Sequence, residues 1–242
     1  MATDTTGIDD LFTALAAFDW GRDASALAAL DARVVAADPA ERADLERRLA
    51  GLLAGDASRA AKDYACRRLC LVGSAASVPA LAPLLRDRGM SHMARFALER
   101  IEAPEAGRAL LDALGEVEGD LQIGVISSLA ARREAAAVPA LAALIAGEPA
   151  SAVAAAAALG RIGTPQAAAV LAGQSPAEGV ADAVFDARIT VAETLLAAGD
   201  RAAAAAAFRS LLTTVRDQPA TRRDRAARCA ARAGLIDSLD DT

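Results

Sequence analysis

The tetrapeptide Val-Pro-Ala-Leu occurs twice, at Val78-Pro79-Ala80-Leu81 and at Val138-Pro139-Ala140-Leu141, sixty positions apart. A weaker copy, Gly107-Arg108-Ala109-Leu110, lies almost midway, which makes the underlying period about 30 residues. A unit that short cannot bury its apolar face alone and must stack on its neighbours. The period therefore predicts an all-α, right-handed α-solenoid. The chain is 54% hydrophobic but only 3% aromatic, because alanine supplies much of its apolar content. Alanine is the best helix former. At helix contacts, small residues let axes approach to the short end of about 8–10 Å, and Leu, Val and Ile must then supply the core.

The clearest unit spans residues 151–173. Residues 153–162 read as one helix, Gly163-Thr164-Pro165 as a turn and 166–171 as a second helix. Gly163 suits the left-handed position that ends a helix. Thr164 is placed to cap the next helix, with Pro165 in its first turn, where a missing N–H costs nothing. The same grammar predicts pairs at 62–72 with 78–86, 90–101 with 105–114, and 121–131 with 138–145. A large apolar residue recurs in the first helices at Leu69, Leu98, Leu129 and Leu159, followed three positions on by Val72, Ile101 and Ile162. Arg132 breaks that series in the unit of Leu129.

Ala158-Leu159-Gly160-Arg161-Ile162-Gly163, Ala97-Leu98-Glu99-Arg100-Ile101, Ser77-Val78-Pro79-Ala80-Leu81 and Ala137-Val138-Pro139-Ala140-Leu141 carry a family pattern. They resemble the bacterial HEAT-like repeats related to those of phycobilisome lyases. In those repeats a first helix ends on Ala-Leu-Gly-x-Ile-Gly and a second opens on Ala-Val-Pro-x-Leu. The resemblance covers residues 59–173 and implies HEAT-like helix pairs. The matching residues are core and turn positions, so it implies little about activity. The expected organisation is one continuous solenoid, with capping helices in 1–58 (at 8–18, 24–36 and 40–53), HEAT-like repeats in 59–175 and divergent helices in 176–242. In the last segment, 187–198 and 201–213 suit either a tetratricopeptide pair, with Leu195, Gly199 and Phe208 in place, or a divergent HEAT unit. Residues 222–239 read as a final helix and 240–242 as a frayed end.

The net charge of −6 argues against a nucleic-acid surface, whose affinity rests on basic residues neutralising phosphates. No apolar run is long enough to span a bilayer, and Met1–Gly7 lacks the basic and apolar regions of a signal peptide, so a cytoplasmic location is expected. Three cysteines, Cys66, Cys70 and Cys229, form no disulfide framework. No phosphate-binding glycine motif is present.

Candidate chemistry is sparse. His92 is the only histidine and has no Ser or Cys partner placed beside it. Cys66 and Cys70 share a helix face at i, i+4. They read either as a redox or soft-metal pair or as small buried residues, since alanine takes the equivalent place in sister repeats. Phe18 and Trp20 either anchor a partner or plug the cap core. The most distinctive surface candidates are Lys62, Asp63, Tyr64, Arg67 and Arg68 on one first helix, with Ser91, His92, Arg95 and Glu99 on the next. Stacked units bring these into one patch, either a docking surface or a solvated face of ion pairs worth about 0.3–0.5 kcal/mol each. The expected function is a non-enzymatic scaffold that binds a protein partner, without cofactor, metal or nucleic acid. The resemblance implies an alternative, an accessory, chaperone-like or cofactor-handling protein, for which Cys66, Cys70 and His92 are the residues to inspect. A regulatory module of a larger secreted protein is a third reading.

Overall fold

The computed structural model describes residues 7–216, 220–232 and 234. All regular structure among them is helical. The chain forms two compact units, Met1–Ser128 and Leu129–Thr242, and the boundaries expected at 58 and 175 fall inside them. No described helix is long and apolar enough to cross a membrane.

The first unit holds α1 (Ile8–Ala16), α2 (Ser25–Ala36), α3 (Pro39–Ala54), α4 (Arg59–Val72), α5 (Val78–Leu81), α6 (Ser91–Leu98) and α7 (Pro104–Leu114). It also holds the start of α8 (Gly119–Arg132). Asp38 starts α3 by accepting the Ala40 and Glu41 N–H groups, and Ser58 starts α4 by accepting that of Ala61. The expected second helix at 78–86 is broken: α5 gives way to a 3-10 turn over Ala82–Arg86. Pro83 is the cause, because it has no N–H to donate and its ring collides with the carbonyl four residues back. Leu69 and Leu98 are fully buried, as the repeat pattern requires.

Several polar links of this unit span 28 to 30 positions, beside others, such as Tyr64 to Asp31 and Arg48 to Asp9, that span 33 and 39. Glu46 accepts from the Ser74 N–H and hydroxyl, 28 residues on. Arg59 donates to the Gly89 carbonyl and Arg86 to Glu116, each 30 residues on. Arg95 donates to the Gly124 carbonyl and Ser128 to Glu99, each across 29 positions. Within this unit α4 packs against both α2 and α6.

The second unit continues with α9 (Val138–Leu144), α10 (Pro149–Ile162), α11 (Pro165–Ala172), α12 (Glu178–Ala197), α13 (Arg201–Val215) and α14 (Ala220–Arg232). The turn at Gly163 is as expected: its φ is 69°, and Thr164 caps α11 by accepting the Ala167 N–H. Arg133 ends α8 with φ 53°, while its N–H and that of Glu134 donate back to Ala130 and Leu129. That is the Schellman closure, made here by a residue other than glycine. Gly160 lets α10 and α12 meet closely, since a Cβ there would lie 3.1 Å from the Ala187 carbonyl oxygen. The helix expected at 187–198 is longer at its start, because nothing between Glu178 and Asp186 breaks it. The end of the expected 222–239 helix and residues 240–242 lie outside the described residues.

Candidate functional site

The expected polar patch divides into residues that tie helices together and residues that face solvent. Tyr64 is buried: its hydroxyl donates to Asp31 at 2.7 Å, and Arg68 stacks over its ring at 4.9 Å while pairing with Asp31 at 2.9 Å. Burial and the Asp31 carboxylate push the Tyr64 phenol far above its ordinary pKa. Ser91, in the first turn of α6, is also buried. Both residues therefore leave the surface set, because each sits on the side of its helix that neighbouring helices cover.

Arg95 and Glu99 are half-buried and committed to α8. Arg95 donates to the Gly124 carbonyl and the Ser128 hydroxyl, and Ser128 donates to Glu99 at 2.7 Å. Gly124 makes this possible, since a Cβ there would sit 2.7 Å from the guanidinium carbon. Burial pulls the Arg95 pKa down and the nearby Glu99 charge opposes it. Arginine nevertheless stays charged, so the arrangement is a clamp and not a proton donor.

What remains exposed are Arg67 and His92, with Lys62 and Asp63 half-buried. Arg67 pairs with Asp63 at 3.0 Å along the helix. Leu71 extends the same stripe, one turn beyond Arg67, and is 51% exposed. On α6 the outward stripe runs through His92 and Phe96, and Arg100 stacks over the Phe96 ring at 4.0 Å. Leu71, Phe96 and Arg100 lie outside the patch expected from the sequence. The i, i+4 spacing of Phe96 and Arg100 was the available signal.

The environments of Cys66 and Cys70 favour the protonated thiol. Cys66 is buried, and desolvation, reinforced by the Asp63 charge, pushes its pKa up to about 12. Cys70 donates to the Arg67 carbonyl and is raised mainly by burial, with the Arg100 and Arg68 charges opposing. Thiols held protonated are poor nucleophiles and poor metal ligands. Among the described residues no group of three or more His, Cys, Asp or Glu side chains is placed to hold a metal ion. Trp20 does not plug the cap: it is 60% exposed in the loop between α1 and α2, and the cap core is filled instead by Leu11, Phe12 and Leu15.

No family model matches the chain, and no curated protein matches it. Among solved structures, human deoxyhypusine hydroxylase in complex with glycerol is similar over 94% of this chain and 94% of its own, at 17% identity and a TM-score of 0.33. A likeness at that level carries no argument about fold or activity.

Proposed function

We propose that the chain is a non-enzymatic protein-binding scaffold built of HEAT-like helix pairs of about 30 residues, and that a protein partner docks on the outward face of α4 and α6. The repeat reading is supported by the links at 28 to 30 positions in the first unit. The observation that carries the docking face is Leu71, half in water, on the helix next to the stacked Phe96–Arg100 pair. A large aliphatic group with an aromatic and a guanidinium is the composition of an interface anchor. The Arg95 links hold α6 against α8 before any partner arrives, which lowers the ordering cost of binding.

A photo-reactive amino acid at position 71 or 96, incorporated in the native host, should give an adduct with one protein, whereas the same probe at exposed Arg209 should not. Leu71→Asp should weaken that complex about tenfold or more, without lowering the melting temperature. Equal adducts at all three positions, or a complex indifferent to Leu71→Asp, would refute the docking face.

A further inference from the structure

A cavity of about 270 Å³ opens in the second unit where α11, α12 and α13 meet. It exists because facing positions on two helices carry alanine: Ala168 and Ala169 on α11, Ala203 and Ala207 on α13. Small side chains cannot fill the space that larger ridges would occupy. The floor comes from α12, with Val191 and Arg188. The volume lies just under the roughly 300 Å³ at which ordinary small-molecule sites begin, so the ligand it suits is small and mostly hydrocarbon.

Arg188 gives the cavity its one charge. Its Nε donates to the Leu171 carbonyl at 2.8 Å, and its Nη2 to those of Ala172 and Gln174 at 3.1 Å each. Those bonds close the C-terminal turn of α11 and fix where the guanidinium stands. Among the described residues no carboxylate pairs with Arg188, and its Nη1 donates to none of them. A half-buried cation balanced only by neutral carbonyls is incompletely compensated. Nη1 keeps N–H groups that can donate a charge-assisted hydrogen bond to a carboxylate.

We propose that this cavity binds a small anionic amphiphile, a medium-chain carboxylate, with its head against Arg188 Nη1 and its alkyl chain between α11 and α13. The site belongs to the second unit, and the proposal does not rest on the α4–α6 face. It would make the protein responsive to a metabolite of the fatty-acid class, a role that a protein-binding scaffold does not require.

The full chain should be titrated with octanoate and with octanol by calorimetry. Saturable one-to-one binding of octanoate is expected, about tenfold or more tighter than octanol, since a charge-assisted hydrogen bond to a carboxylate exceeds a neutral one by that order. Ala168→Leu fills the cavity and should abolish binding of both. Arg188→Gln should remove the preference for octanoate and leave octanol binding in place. Absence of saturable octanoate binding, equal affinity for octanol, or unaltered binding by Ala168→Leu overturns the proposal. If Arg188→Gln loses the fold because α11 loses its closing bonds, the octanoate-to-octanol ratio in the wild type and the Ala168→Leu result still decide it.

Discussion

Replacing Gly163 by alanine perturbs the turn between α10 and α11 in two separable ways. The backbone there stands at φ 69° and ψ 35°, a conformation that costs a residue with a Cβ about 1–2 kcal/mol. The new Cβ would also lie 2.1 Å from Thr194 Cγ2 and 2.8 Å from Thr194 Cβ. Those overlaps require α12 or the turn to shift, which costs about 1–3 kcal/mol in a packed interior. The sum is about 2–5 kcal/mol, a large part of the roughly 5–15 kcal/mol that holds a typical protein folded. At about 2–4 °C per kcal/mol for a chain of this size, the melting temperature should fall by about 4–20 °C. Urea unfolding followed by far-ultraviolet circular dichroism measures the free energy. A second variant separates the two causes. Thr194→Ser removes Cγ2 and keeps the hydroxyl that donates to the Thr190 carbonyl at 2.8 Å, so in that background Gly163→Ala should cost about 1 kcal/mol less. A Gly163→Ala protein within about 0.5 kcal/mol of wild type, or an identical cost in both backgrounds, would show that the turn and its contact with α12 are not as described.

Other outcomes follow from the same geometry. Arg133→Gly should stabilise the protein by about 0.5–1 kcal/mol, because the Schellman turn at φ 53° strains a side chain that glycine lacks; thermal unfolding reads the gain. Tyr64→Phe should cost about 1 kcal/mol through loss of the Asp31 hydrogen bond, while leaving partner capture unchanged, which distinguishes a tie between helices from a docking residue. Cys66 should resist iodoacetamide in the native protein and react once it unfolds. The same thiol lends stability fully present below its unfolded pKa of 9.0 and lost as the pH rises toward about 12, since the unfolded chain releases that proton first. Urea titrations across that interval, comparing Cys66→Ala with wild type, measure the difference.

Much of the helical layout was legible in the chain because its determinants act over one or two turns. Pro39, Pro104, Pro149 and Pro165 open helices, Thr164 caps one and Gly163 ends another, all through contacts a few residues apart. The exceptions have equally local causes: Pro83 splits the second helix of its pair, and Arg133 takes a left-handed position that glycine usually fills. The candidate site was legible only in outline. The spacing of Lys62, Asp63, Tyr64 and Arg67 places them on α4, and that of Ser91, His92, Arg95 and Glu99 places most of them on α6. It does not say which neighbour each side of the helix meets.

The sequence by itself determined the helix class and most helix ends, since each rests on backbone hydrogen bonding and side chains within a turn of one another. Only the tertiary structure decided that Tyr64 and Ser91 are covered, that Arg95 and Glu99 clamp α8, that Phe96 is half-buried, and that Leu71 and Trp20 meet water. A stacked helix is covered on more than one side, so the amphipathic pattern that separates core from solvent cannot separate solvent from a neighbouring helix. The same limit hid the α11–α13 cavity, which arises from alanines facing each other across two helices and not from any one of them.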